Sequence, residues 1–490
     1  MSLDLKPSVK KIIYILVSLL SIALLFSCED EKYVSSSDVK LEFSTDTVMF
    51  DTIFTTIGST TQHLKVYNPY DQKLLISSIR LAKGEQSNFR LNVNGTQANQ
   101  VFNVEIPPKD SIYIFVEVTV DPNGNSLPMV VKDSIEFSTN QSLQDVNLIA
   151  WGQDFHLIKE ARLSTQTWTA DKPYLVYNYA YVDSGAVLSI EPGAKIYFHA
   201  RSGLYVKGKL DAEGTYDEPI VFQGDRLEDV YKDVPDQWSG VVLFSGSHDN
   251  VLDHVEIKNA NIGLQVGNIE DEGYASVDLS NAKIYNHAYA GIFALKSKIK
   301  AYNCLIANCG WYGAALLVGG DYDFYQTTIA NYWGGYTSTS RSTSSLVISN
   351  LLIIDKESGG STSYVGDLQH ANFTNSIITG NIGSGNELEL GNSDKAAFNF
   401  KFDHCLMQLS DTFNISDTDH YSEIIKGVDP KFEDPYDGLD FELDTLSPAK
   451  DVGLKSVGEM FPFDILNQSR TSDAGPDLGA YERIEKTAEN

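Results

Sequence analysis

Apolar and polar residues alternate with period two through residues 40–155. The segments Leu64-Lys65-Val66-Tyr67, Phe102-Asn103-Val104-Glu105-Ile106, Ile112 to Val120 and Ser134-Ile135-Glu136-Phe137 each stop at a Pro, Asn or Gly turn signal. Alternation bounded by such residues predicts short strands of a half-buried antiparallel sheet. From about residue 175 the pattern changes. A polar-x-x-aliphatic element recurs, often with Asn two positions on: His254-Val255-Glu256-Ile257-Lys258-Asn259, Asn281 to Asn286, Asn303 to Asn308 and Gln326 to Asn331. It continues at Asn350-Leu351-Leu352-Ile353, Asn375 to Ile378 and His404 to Met407, placing aliphatic anchors at 257, 284, 306, 329, 353, 378 and 407.

Steps of this length are too short for helical repeats, and no Leu-x-x-Leu-x-Leu frame is present. The pattern predicts a parallel β-helix, in which no coil buries its inward side chains alone and stacking at ~4.8 Å puts aliphatic over aliphatic. The recurring asparagines, Asn259, Asn286, Asn308 and Asn331, then read as structural corners joining coil to coil. Cys304 and Cys405 share a place in the repeat. Counted as four intervals, they lie ~19 Å apart, beyond the ~7 Å reach of a disulfide. With Cys309 they are expected to be buried thiols, without zinc.

Residues 181–222 (Gly185-Ala186-Val187-Leu188 and Glu191-Pro192-Gly193-Ala194 among them) resemble the opening coils of right-handed β-helix proteins. Asp429-Pro430-Lys431-Phe432, Ser447-Pro448-Ala449 and Asp477-Leu478-Gly479-Ala480-Tyr481-Glu482 resemble a terminal motif of the same proteins. Residues 40–155 resemble the Ig-like modules that precede larger domains in bacterial surface lipoproteins and act as spacers; no residue cluster there marks a ligand site.

The N-terminus reads as an export signal. Lys6, Lys10 and Lys11 precede an apolar run from Ile12 to Phe26, shorter than the ~20 residues needed to span a bilayer. Leu25-Phe26-Ser27-Cys28 resembles a lipobox, which implies acylation of Cys28 and a bilayer as partner. Glu29-Asp30-Glu31 is similar to the surface-export signal of Bacteroidetes-type lipoproteins. The expected organisation is a signal peptide (1–27), a tether (28–39), an Ig-like β-sandwich (40–155), a right-handed parallel β-helix with terminal cap (156–482) and a tail (483–490). Outer-membrane anchoring with exposure at the cell surface follows from the resemblance.

Charge narrows the partners. The formal net charge is −29, and loss of residues 1–27 removes three Lys and one Asp, taking it to −31. That balance argues against nucleic acid, whose binding needs a basic surface, and directs attention to neutral glycans. Sugar-cleaving enzymes on such folds need paired carboxylates or a basic residue beside Ca²⁺. Asp321/Asp323 and Glu387/Glu389 are candidate pairs, and Lys258, Lys298 and Arg341 candidate bases, but each also suits a solvated outer strand face. The acidic run Asp429, Glu433, Asp434, Asp437 and Asp440 could hold Ca²⁺ but lacks a fixed ligand frame. No catalytic residue, metal site or cofactor is therefore assigned. Trp311, Tyr312, Trp333 and Tyr336 crowd into consecutive repeats together with Tyr322, Tyr325 and Tyr332. They form a candidate sugar platform, with interior packing as the competing explanation. The leading expectation is a non-catalytic binding or structural lipoprotein with glycans as ligand; the alternative is a polysaccharide lyase or glycoside hydrolase.

Overall fold

The structure, a computed structural model, describes residues 32–36, 38–124, 128–140, 142–334, 341–356, 359–383, 385–436 and 438–484. Cys28 and Tyr336 lie outside the described residues. The chain divides into two compact units, Met1–Gln153 and Asp154–Asn490.

In the first unit two five-stranded sheets form a β-sandwich. Strand Ser111–Val118 shows how alternation builds it: Ile112, Ile114, Val116 and Val118 point into the core, while Tyr113, Phe115 and Glu117 point out. The opposing sheet contributes Ile76, Ile79, Phe137, Val146 and Leu148 to the same apolar cluster. One pairing departs from the antiparallel expectation: Thr47–Phe54 runs parallel to Ser142–Gln153. Alternation fixes which face a residue takes and leaves strand direction open.

The second unit is a three-sided parallel solenoid. One coil runs through Ser276–Ser280 on the first side and Lys283–His287 on the second, then enters the long strand Ala290–Tyr302, which covers the third side and turns into the next coil. Each strand pairs in parallel with its equivalent one coil on. On the second side Ile257, Ile284, Ile306, Ile329 and Ile378 are successive partners, all fully buried. On the first side Phe324, Phe373 and Phe402 stack with centroids 4.8 and 5.0 Å apart. The polar residues of the repeat occupy the corners. His254, Asn281, Asn303, Gln326, Asn375 and His404 all have left-handed φ between 47° and 52° where the first side turns into the second. Asn259, Asn286 and Asn308 are also left-handed, with φ between 49° and 62°, at the next corner. Asn tolerates this conformation because its short side chain bonds locally, and Asn303 Nδ2 indeed donates to Asn281 Oδ1 at 3.2 Å.

The anchor at Ile353 is corrected by this register. Ile329 pairs directly with Ile378, and Leu351–Asp355 instead forms an antiparallel hairpin with Ser361–Val365, leaving Ile353 55% exposed. Asn350 is absent from the left-handed corners; its amide is held by Asn392 Oδ1 and the Ser393 carbonyl, tying down the hairpin's base. Its Asn-Leu-Leu-Ile therefore imitates the repeat without making a corner. Cys304 and Cys405 are consequently three coils apart, ~14 Å at one strand spacing per coil. All three thiols are free and buried, and burial pushes each up to about 12, so they stay protonated.

His287 is a second consequence of the register. Its ring is fully buried; Nδ1 accepts from Ala260 N at 3.1 Å and Nε2 lies 3.2 Å from the Ile257 carbonyl. Asn331, two coils on, accepts from Cys309 N in the same way at 3.0 Å. Burial pushes the imidazole down to about 3. The unfolded chain then binds the extra proton between about pH 6.5 and 3, so this contribution is present above pH 6.5 and lost as pH falls toward 3. His287→Asn is expected to keep neutral-pH stability and flatten the loss on acidification by several kcal/mol, which urea unfolding at pH 7 and pH 4 would read. An unchanged acid slope would refute this.

The C-terminal residues lie along the second side. Phe432, Phe441, Leu443, Ile465, Leu478 and Tyr481 pack on the outward side chains Leu305, Ala307, Ala330, Ile377 and Leu406.

Candidate functional site

Aromatic residues recur at the corner between the second and third sides. His287 and Cys309 are strand partners, so Tyr289 and Trp311 fall at one register position in consecutive coils; Ala307 pairs with Ala330, which sets Trp333 level with Gly310, one residue before Trp311. Trp311 N donates to the Tyr289 carbonyl at 2.9 Å, and their rings lie 5.5 Å apart. Tyr312 and Phe293 meet Tyr289 edge-on on the third side. Gly310 permits this corner: a Cβ there would stand 2.0 Å from the Ala288 carbonyl oxygen. Trp311 remains 51% exposed. Of the other aromatics in this stretch, Tyr322 is a core residue whose hydroxyl donates to the Gly319 carbonyl. Tyr325 packs against Phe461.

Trp333 lines the start of a groove. It closes one end of a hollow with Asn286, Asn308, Tyr332 and Tyr436. That hollow shares Asp233, Asn308 and Leu439 with a central chamber of ≈ 280 Å³ bearing Lys232, Glu256, Lys283, Tyr285 and Tyr481. The chamber shares Glu256 and Lys283 with a third hollow containing Tyr216, His254 and Asn281. One wall is the outer face of the solenoid's second side. The other is the C-terminal segment, through Tyr436, Leu439, Phe441, Ile465 and Tyr481.

Glu256 is the chamber's most constrained carboxylate. Burial opposes its ionisation, but Lys258, at 3.0 Å, the Tyr285 hydroxyl and Lys283 outweigh that and hold it below the usual carboxylate range. Burial, with the Glu256 charge adding to it, raises Tyr285 well above the usual phenol range. Near neutral pH the floor of the chamber is thus an ion-paired carboxylate and a neutral phenol. This suits hydrogen bonding to hydroxyls and leaves no proton-donating carboxyl at Glu256.

The other candidate groups lie elsewhere. Asp321 and Asp323 share the outward first side with His370, whose Nδ1 lies 2.8 Å from Asp321 and Nε2 3.1 Å from Asp323; Lys298 is 3.5 Å from Asp321. Glu387 and Glu389 do not form a pair: Glu389 is exposed, and Glu387 is fully buried at the turn before its strand. There Arg341 grips it with both Nη atoms at 2.8 and 2.5 Å, and Ser345 N and Oγ and Ile382 N donate to it as well. Two candidates for chemistry thereby satisfy each other. Among the described residues no three His, Cys, Asp or Glu side chains converge to hold a metal. Asp437 of the acidic run falls outside them.

Residues 239–405 match the family model described as the right handed beta helix region. The second unit is a right-handed parallel β-helix. No curated protein matches the chain. Among solved structures, a protein of unknown function from Porphyromonas gingivalis W83 is similar at 10% identity over 26% of this chain and 60% of that one, with a TM-score of 0.18. A family 123 glycoside hydrolase from Clostridium perfringens is similar at 7% identity over 24% of this chain and 30% of that one, with a TM-score of 0.16. The chain thus spans 60% of the first and 30% of the second, less than two thirds of either. Among the described residues no helix is long and apolar enough to cross a membrane. The β-helix supports both its aromatic corner and its groove on rigid, register-locked strands. Sequence spacing brought out Trp311, Tyr312 and Trp333. It missed Tyr285, which shares the chamber with Tyr481, and Tyr436, which packs edge-on against Tyr332, pairs brought together by the return of the C-terminal segment.

Proposed function

We propose that this protein binds an extended, predominantly neutral polysaccharide in the groove between the β-helix and its C-terminal segment. In this reading it works outside the cytoplasm, anchored through acylated Cys28, with an Ig-like sandwich between anchor and β-helix. The carrying observation is the groove itself: rings of Tyr216, Tyr285, Tyr332 and Trp333 alternate along it with Asn281, Asn286 and Asn308. Flat rings pack on the apolar faces of sugars, and amides bond their hydroxyls. A non-catalytic role is favoured because the charged candidates other than exposed Glu389 already have partners: Glu256 has Lys258, Glu387 has Arg341, Asp321 and Asp323 share His370, and Lys298 has Asp321.

Affinity electrophoresis of the purified protein in gels cast with xylan, mannan or mixed-linkage β-glucan tests this. Retardation in at least one gel is expected, and Trp333→Ala should weaken it about tenfold, the ~1.4 kcal/mol typical of a buried aromatic contact. Unchanged retention by that variant would sink the groove reading. Release of new reducing or unsaturated ends from any of the three polymers would replace binding with hydrolase or lyase activity.

A further inference from the structure

The β-sandwich carries an aromatic face of its own. On the paired strands Gln62–Tyr67 and Ser111–Val118, Lys65 faces Tyr113 and His63 faces Phe115. All four side chains lie on the outer face, opposite the core-facing Leu64, Val66, Ile114 and Val116. The Tyr113 and Phe115 rings are within 11° of parallel with centroids 6.1 Å apart, and each is 42% exposed. The Lys65 ammonium sits 4.8 Å from the Tyr113 ring centre and 5.9 Å from that of Tyr67.

Cross-strand pairs of this kind stabilise a sheet by only ~0.2–1 kcal/mol, whereas burying a large ring is worth ~1.5–3 kcal/mol. With each of the two residues still 42% exposed, part of that apolar energy remains available to a ligand, and the two adjacent rings form a contiguous patch of the kind that marks contact surfaces. The charges identify the occupant. Lys65 and exposed Arg90 are balanced by exposed Glu42 and Glu117, so the face is locally neutral on a chain of net charge −29. A polyanion gains nothing from such a face. A protein partner would meet charges at the patch centre, where protein interfaces are depleted of Lys and Glu. Exposed rings framed by polar side chains of both signs suit an uncharged, polyhydroxylated chain.

We propose that the outer face around Tyr113 and Phe115 is a second glycan-binding surface, specific for neutral polysaccharide and separate from the β-helix groove. The proposal stands on the sandwich alone, and the groove reading can fail without it. Two linked sites would multiply retention beyond either alone.

The test uses the whole protein and the same xylan, mannan and β-glucan gels. Tyr113→Ala/Phe115→Ala is expected to reduce retention at least fivefold with its thermal unfolding unchanged, and Tyr113→Phe to retain binding because the ring face is kept. Combining the double variant with Trp333→Ala should abolish retention if both sites act. If Trp333→Ala has no effect and the double variant does, the groove reading fails and this one stands. Retention equal to wild type in the double variant would overturn this proposal, as would a wild-type protein that none of the three polymers retards. So would a loss of retention matched by a lower unfolding temperature in the double variant and by an equal loss in Tyr113→Phe.

Discussion

Replacing Arg470 with Met is expected to destabilise the β-helix by about 3–5 kcal/mol, the cost of leaving buried charge without its partner. Arg470 is fully buried; it donates to Glu482 Oε2 at 3.2 Å, Asn303 Oδ1 at 3.1 Å and the Gly479 carbonyl at 3.0 Å. It thus pins residues 479–482 to a corner asparagine of the repeat, and it is the cation among three buried carboxylates, Asp464, Asp477 and Glu482. Burial first, and then the Asp477 charge, push Glu482 up to about 8. Because the folded value is raised, the folded state holds the extra proton between about pH 4.5 and 8; this stabilisation is complete below that window and disappears as pH rises through it. Glu482→Gln should remove that slope and make the protein less sensitive to pH 8, while Arg470→Met should lose stability throughout. Denaturant unfolding at pH 5 and pH 8 measures both. Parallel pH dependence in wild type and Glu482→Gln would show that the cluster is not what titrates. The groove gives a second readout, since its outer wall is the segment that Arg470 holds.

What was readable in the sequence follows the range over which each feature is determined. Inward positions of the repeat were readable because every coil must bury its own aliphatic over the previous one, so Ile284, Ile306 and Ile329 recur in register. The corner residues were readable because left-handed backbone favours Asn, which is why Asn281 and Asn303 looked alike. Asn350 defeated the same rule: an Asn followed by three aliphatics starts a hairpin there, and only its side-chain bonds to Asn392 and Ser393, far along the chain, decide between the two. Half of the candidate site was legible for a related reason. Tyr289 and Trp311 lie one coil apart at the same register position, and Trp333 lies in the next coil level with Gly310, so spacing brings them to one corner. Lys283 and Tyr481, or Tyr332 and Tyr436, meet through the return of the C-terminal segment, which no local period encodes. The sandwich face was hidden differently, since His63 and Lys65 are far from Tyr113 and Phe115 in sequence and only strand pairing aligns them.

Glu387→Ala is the other substitution expected to be severe, at about 3–5 kcal/mol, because it strands the Arg341 guanidinium in the interior. Both side chains have no solvent exposure. Arg341 also bonds the Asn331 carbonyl, and Glu387 receives Ser345 and Ile382, so the pair ties the end of the second-side strand at Asn331 to Ile382 and to Ser345, next to the third-side strand that begins at Leu346. The decisive comparison is the double variant Arg341→Met/Glu387→Leu. Removing both charges leaves no unpaired ion, and apolar replacements of similar volume are often neutral or better at such sites. The double variant should therefore recover most of the loss, with a coupling energy of about 2 kcal/mol or more between the two positions. A catalytic carboxylate would behave in the opposite way: Glu387→Ala would leave stability untouched or raise it, since active-site carboxylates are held against strain. Unfolding of Glu387→Ala at the wild-type midpoint would thus return Glu387 and Arg341 to the list of catalytic candidates. A large loss rescued by the double variant fixes them as a structural clasp joining Asn331, Ser345 and Ile382.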